Sequence, residues 1–148
     1  MKVVVCSLNS QYIHSALAPW YLAAGMDRWG NPSILVEVVE GTVNQEPEKL
    51  FRRLQDTRAD VIGFCCYIWN ITLVRQLAER IKVWKPETIV VLGGPEAAFR
   101  AEELLIGWPA VDYIQAGEGE SPFALLMNRL YAGKEPADVP GLCRRLPA

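Results

Sequence analysis

The sequence predicts an α/β fold, a five-stranded parallel sheet of order 2-1-3-4-5 in a Rossmann-like or flavodoxin-like three-layer sandwich. Five short β-branched runs recur along the 148 residues. Each is followed by a glycine or polar turn and then by a segment of helical spacing, the pattern of a parallel sheet covered on both faces. Right-handed crossovers leave few arrangements for this count, and the commonest puts the switch point between the first and third strands. Ligands in such sheets bind outside the carboxyl ends of the strands, so the segments after strands one, three, four and five are the informative ones.

The predicted strands are Lys2 to Ser7, Ile34 to Val39, Val61 to Cys66, Thr88 to Leu92 and Val111 to Gln115. Between the first two, Leu17, Trp20, Tyr21, Ala24 and Met26 form an approximately helical stripe, with Pro19 in its first turn and Gly30-Asn31-Pro32 at its end. Pro47 opens a second helix through Leu50, Phe51 and Leu54 towards Arg58. Asn70 opens a third, with Leu73, Val74, Leu77, Ile81 and Trp84 on one side and Arg75, Glu79, Arg80 and Lys82 mostly on the other, until Lys85-Pro86 stops it. A short fourth lies around Ala98 to Leu105, and Ser121-Pro122 starts a fifth carrying Phe123, Leu126, Met127 and Leu130. These elements make one domain over residues 1–132, and the breaker-rich stretch from Gly133 through Val139-Pro140-Gly141 predicts a departing linker over 133–148.

A chain of this size buries one core without staples. Its apolar runs are too short to cross a bilayer, and Lys2 leads straight into Val3-Val4-Val5 without the features of a secretory signal, which predicts a cytoplasmic protein with no membrane partner. A net charge of −2 without a basic cluster argues against nucleic acid as a partner. The four cysteines form no Cys-x-x-Cys pair that could hold zinc or an iron–sulfur cluster, and read as reduced thiols. No metal site and no catalytic residue is assigned.

At the predicted ligand edge, Ser7-Leu8-Asn9-Ser10-Gln11-Tyr12-Ile13-His14 is a long polar loop without the tight glycine turn of a phosphate cradle. His14, the only histidine, reads more readily as a hydrogen-bonded or capping residue than as a metal ligand. Strand three ends in Cys65-Cys66-Tyr67-Ile68-Trp69-Asn70; Tyr67 and Trp69 either cover the helix below or form a platform for a broad, partly apolar ligand. Gly93-Gly94-Pro95-Glu96 follows strand four and Gly117-Glu118-Gly119-Glu120-Ser121 follows strand five, as tight turns or as places where backbone approaches a ligand. The second imitates a dinucleotide fingerprint, but proline takes its last position and it follows the final strand.

Together with Leu8 to Leu22 and Gly63 to Asn70, these loops resemble the N-terminal cobalamin-binding domain of cobalamin-dependent radical S-adenosylmethionine enzymes, in the group often labelled with the anaerobic magnesium-protoporphyrin monomethyl ester cyclase. The resemblance covers nearly the whole chain. It implies cobalamin as cofactor, bound without a histidine ligand because the Asp-x-His-x-x-Gly motif of methionine-synthase-type domains is missing, with the nucleotide tail in a pocket beside the glycines. It places cofactor contacts on Ser7, Leu8, Asn9 and Tyr12; on Cys65, Tyr67, Ile68, Trp69 and Asn70; on Gly93, Gly94, Pro95 and Glu96; and on Gly117, Glu118, Gly119 and Glu120. A β-branched residue at Gly94 is expected to crowd the tail pocket.

The resemblance further implies a module of a larger enzyme that performs methyl transfer or related radical chemistry at an unreactive carbon. Its iron–sulfur cluster and S-adenosylmethionine would bind in a following domain, since the chain has no Cys-x-x-x-Cys-x-x-Cys loop. A signalling receiver of the same topology is excluded, because Ser7, Cys65 and Gly117 stand where its acidic cluster, phosphoacceptor and lysine belong. A flavin-binding electron carrier and a stand-alone cobalamin carrier remain as alternatives.

Overall fold

Val3, Val4 and Val5 are completely buried because β1 (Lys2–Asn9) runs through the middle of the sheet, between β2 (Leu35–Thr42) and β3 (Val61–Cys65). In this computed structural model, which describes residues 1–10 and 17–146, the sheet continues through β4 (Ile89–Gly93) and β5 (Tyr113–Gln115). Pairing from β2 to β5 is parallel throughout, in the expected order 2-1-3-4-5. Two-residue periodicity divides the strands between two cores. Val4, Cys6 and Leu8 face α2 (Pro47–Thr57), α3 (Ile71–Trp84) and α5 (Ala101–Gly107). Val3, Val5, Val61 and Val91 face α1 (Ala18–Trp29) and α6 (Glu120–Tyr131).

The helices start where the sequence places their proline or polar openings, within the latitude of any boundary assignment. The fourth helical segment departs from expectation: α4 (Pro95–Phe99) and α5 are separate short helices that meet at Arg100. Both first strands also run two or three residues longer than predicted, to Asn9 and Thr42, because they stay paired with each other, Leu8 opposite Gly41 and Asn9 opposite Thr42. Among the described residues no helix is long and apolar enough to cross a membrane.

The larger correction concerns the count of strands. The segment expected to depart as a linker returns to the sheet, and β6 (Leu142–Arg144) pairs antiparallel with β5, giving six strands. Three interactions hold it there. Val139 is buried against the α1/α6 core. The Ala116 amide donates to the Gly141 carbonyl at 2.8 Å. The Arg145 guanidinium donates to the Leu105 carbonyl at 2.8 Å and also to that of Val111. Breakers in this stretch shape a tight return and do not release the chain. Gly141 has φ +70°, where a side chain is strained, and a Cβ there would lie 2.5 Å from the Ala116 carbonyl oxygen.

Gly133 has a similar φ of +68° but open space around it, so the pair separates backbone strain from collision. Gly133→Ala is expected to cost about 1 kcal/mol from strain alone, and Gly141→Ala about 2–3 kcal/mol as the Ala116 contact is forced apart. Urea denaturation checks this; equal losses at both positions would show that β6 is not held as described.

Candidate functional site at the carboxyl edge

The strand registers bring Ser7, Cys65, Gly93 and Gln115 into one row across β1, β3, β4 and β5, at the carboxyl edge. One row below lie Val5, Gly63, Val91 and Tyr113. Two-residue spacing along each strand keeps both rows on the α1/α6 face. Gly63 and Gly93 therefore leave a diagonal gap in a surface otherwise covered by side chains. A Cβ at Gly63 would meet the Phe123 ring at 3.6 Å and the Val4 carbonyl oxygen at 3.9 Å, both ordinary contacts, and one at Gly93 only the Gln115 carbonyl oxygen, at 3.8 Å.

The gap is a cavity of about 240 Å³. Its floor is Gly63, Cys65, Val91, Gly93 and Gln115, and its roof includes Tyr21 and Leu22 of α1 with Phe123 of α6. Tyr67, Gly94, Pro95, Gly117, Gly119 and Glu120 form the rim. Cavities that enclose a whole drug-sized ligand hold roughly 300–1,000 Å³. This one suits a projecting part of a larger ligand whose bulk stays over the sheet edge.

The loop after β3 is fixed from beneath by Asn70, which is 1 % exposed. Its amide nitrogen donates to the carbonyls of Leu8, at 3.1 Å, and Cys65, at 2.9 Å, and its oxygen accepts from the Tyr67 amide at 2.8 Å. The side chain is thus fully engaged inside the protein, and its part in the site is to hold Tyr67 in place. Tyr67 and Trp69 stack on each other, centroids 4.5 Å apart and planes within 5°. Tyr67 borders the cavity, while the Trp69 indole donates to the Leu8 carbonyl at 3.3 Å and leaves its outer side in solvent.

Of the residues predicted for the site, Cys65, Tyr67, Gly93, Gly94, Pro95, Gly117, Gly119 and Glu120 line the cavity. Ser7 is buried in the same row as Cys65 but does not reach the cavity lining. Leu8 points to the α2/α3 core, because the longer β1 keeps its alternation, and Asn9 accepts from the Ser7 hydroxyl at 3.4 Å. Ile68 is 78 % exposed at the edge, Glu118 is exposed on its turn, and Glu96 pairs with Arg100 at 3.3 Å. Tyr12 and His14 lie outside the described residues.

Gly94 lines the cavity and also fixes the backbone beside it. At φ +94° it turns the chain into α4, and a Cβ there would lie 2.5 Å from the Cys66 carbonyl oxygen. Substitution at Gly94 would strike the backbone after β3 before it reached a ligand. Gly63, Gln115 and the helix residues of the roof were not singled out from sequence. A glycine inside a buried strand was the available signal for Gly63, since it weakens a strand unless something approaches closely.

Burial determines the state of the thiols near the site. It pushes Cys6 and Cys65 up from an ordinary value of 9.0 to about 12, with Cys65 adding to the effect on Cys6, and it raises Cys66 further in the same direction. All three are neutral at physiological pH and serve as small apolar groups. Burial also raises the Tyr67 phenol.

A family model described as "B12 binding domain" matches residues 3–127. The 2-(S-pantetheinyl)-carbapenam-3-carboxylate methyltransferase of Streptantibioticus cattleyicolor is 34% identical over 114 residues, 73% of this chain and 17% of that protein. The cobalamin-dependent radical SAM methyltransferase TokK of Streptomyces tokunonensis is 34% identical over 107 residues, 68% of this chain and 16% of that protein. The structure of the radical S-adenosylmethionine methyltransferase TsrM from Kitasatospora setae, with cobalamin and an iron–sulfur cluster bound, superposes with a TM-score of 0.77 at 19% identity. That superposition covers 98% of this chain and 27% of TsrM. The chain thus spans about a sixth of the length of the curated relatives it matches.

The raised thiols make stability fall at alkaline pH. Below about pH 9 they are protonated in both states, and above it the unfolded chain ionises while the folded one holds its protons up to about 12. Each thiol should then remove up to about 1.4 kcal/mol per pH unit across that window. Cys6→Ala should flatten the measured slope of unfolding free energy against pH by close to one proton; an unchanged slope would mean the thiol titrates normally in the folded chain.

Proposed function

The chain belongs to the B12-binding domain family, and from that premise we propose that it holds cobalamin over the carboxyl edge of the sheet, with the nucleotide tail in the cavity. The observation that carries the reading is the gap left by Gly63 and Gly93 beneath α1 and α6. It is apolar in its walls, as an aromatic tail base requires. Its volume admits a tail and leaves the corrin outside, against the rim of Tyr67, Pro95 and Gly117.

When bound, cobalamin supplies cobalt chemistry that this chain's side chains cannot, namely carriage of a methyl group or electrons to an organic substrate. The chain's residues bind, orient and exclude water. Phe123, Leu22 and Val91 dry the cavity. Asn70 holds the Tyr67 loop at the edge. The only histidine, His14, has no Asp-x-His-x-x-Gly motif around it, so no histidine of this chain is assigned to cobalt.

The reading extends to the whole protein. Relatives of which this chain matches about a sixth are methyltransferases, one of them described as cobalamin-dependent and radical SAM. By that likeness the chain is the front part of a longer enzyme, with the iron–sulfur cluster and S-adenosylmethionine in a following domain that docks over the same edge. Residues beyond 132 would lead to it, after the return through β6.

A visible-absorption titration with hydroxocobalamin tests the core of the proposal. Wild type should bind, and Gly63→Val, whose Cβ would lie 3.6 Å from the Phe123 ring and 3.9 Å from the Val4 carbonyl oxygen, should weaken binding by at least about tenfold while lowering stability by no more than about 1 kcal/mol. Equal affinities would displace the tail from this cavity. A second expectation concerns cobalt directly: electron paramagnetic resonance of the cobalt(II) form should be the same in wild type and His14→Ala, and protein nitrogen splitting lost in the variant would refute the assignment.

A further inference from the structure

Gly25 is buried in the interior of α1, where a glycine weakens a helix relative to alanine. Its place in the packing accounts for it. A Cβ there would lie 2.7 Å from the carbonyl oxygen of Glu120, 3.1 Å from its carbonyl carbon and 3.2 Å from its Cβ. That oxygen belongs to the first turn of α6, so it cannot swing aside as the end of a side chain would. One turn earlier on the same face of α1 stands Leu22, whose Cδ2 would lie 3.3 Å from a Cβ added to Gly119, the residue just ahead of α6. The two helices therefore meet along a seam of two successive contacts, each with a glycine on one side: Gly25 against Glu120, and Gly119 against Leu22. Leu22, Gly119 and Glu120 line the cavity, and Gly25 does not.

We propose that Gly25 is a positioning residue for the nucleotide tail: its missing side chain lets α1 close on α6, and the closed seam holds the tail in the cavity. The inference rests on the cobalamin reading above and adds to it a residue that touches no part of the ligand. Carbon and oxygen in a close backbone contact lie about 3.3–3.6 Å apart. Starting from 2.7 Å, a methyl group at Gly25 would part the helices by roughly 0.6–0.9 Å at Glu120. The strand ladder holds the floor of Gly63, Val91 and Gly93 in place, so the added separation falls on the roof. A gap of about 0.5–1 Å forfeits a quarter to a half of the attraction between packed atoms. The corrin, outside against Tyr67, Pro95 and Gly117, meets the loops after β3, β4 and β5 and not the seam, so the loss is confined to the tail.

The test uses the full chain and two corrinoids, hydroxocobalamin and cobinamide, which lacks the nucleotide tail, in equilibrium dialysis read by corrin absorbance. Gly25→Ala should weaken hydroxocobalamin binding about tenfold and leave cobinamide binding within about twofold of wild type. Equal weakening of both, or of neither, would overturn the proposal. Val74→Ala, a truncation in the core on the opposite face of the sheet, controls for lost stability. It should leave the ratio of the two affinities within about twofold of wild type, and a ratio shifted as far as by Gly25→Ala would overturn the assignment to the seam. If Gly25→Ala does not fold, Gly119→Ala decides, because its closest contact is the flexible end of the Leu22 side chain. That variant should shift the ratio about fourfold in the same direction, and an unchanged ratio would overturn the proposal. Wild-type protein that binds neither corrinoid would refute the cobalamin reading itself and this inference with it. A tail-selective loss in Gly63→Val, with none in Gly25→Ala or Gly119→Ala, would refute the inference alone.

Discussion

The site depends on strand register. Parallel pairing sets Cys65 beside Gly93 and Gly93 beside Gln115, while Gly63 falls one row below on the same face. A slip of one residue in β3 would turn Gly63 to the α2/α3 core and put a large side chain in its place. The cavity is thus a consequence of which positions in a buried sheet lack side chains. It survives because α1 and α6 roof it with Tyr21, Leu22 and Phe123 and do not collapse into it. A void of this size forfeits packing contacts that a filled core would make.

The two faces of the sheet divide the work. On the α2/α3 side the strands present Val4, Cys6, Leu8, Ile62 and Phe64 to a continuous core, which supplies the burial that stabilises the domain. Among the described residues the α1/α6 side buries fewer apolar side chains and gives up part of its packing to the cavity. Asn70 joins the two functions: its amide ties β1 to β3 through carbonyls of both, and the same side chain sets the loop bearing Tyr67. An apolar residue there would leave the Leu8 and Cys65 carbonyls and the Tyr67 amide without that partner, so the edge and the stability of the neighbouring strands are not separable.

The order of the parallel strands and the loops that make the rim were legible because they follow from local patterns, β-branched runs for the strands and glycines at their ends. The floor and roof were not. Gly63 reads as one residue of a strand until pairing shows that its neighbour on the next strand is Val91 and that Phe123 lies across it. Tyr21 reads as one residue of a helical stripe, and Leu22 only as part of the run that carries the resemblance, until α1 is placed beside the start of α6. Leu8 was assigned to the site because the sequence alone ended β1 too early, and alternation then sent it to the other face. Breaker residues marked turns correctly but not their direction: Val139-Pro140-Gly141 signals a bend equally well for a chain that leaves and for one that returns.

The return also fixes the outer side of the cavity floor. The strand β5 has only three residues, the least pairing of any parallel strand here, and its outer edge is covered by an equally short β6. Short strands gain little from their own ladder, so the placement of Gln115 rests on groups from both sides: Gly93 across the parallel pair, the Pro140 carbonyl at its amide, and Arg145 tying the following residues to the carbonyls ahead of β5. Displacing the return segment would free the Gln115 amide to rotate and open the sheet edge beside the cavity. The hydrogen bond from Gln115 to the Pro140 carbonyl thus couples the placement of β6 to the floor of the cavity.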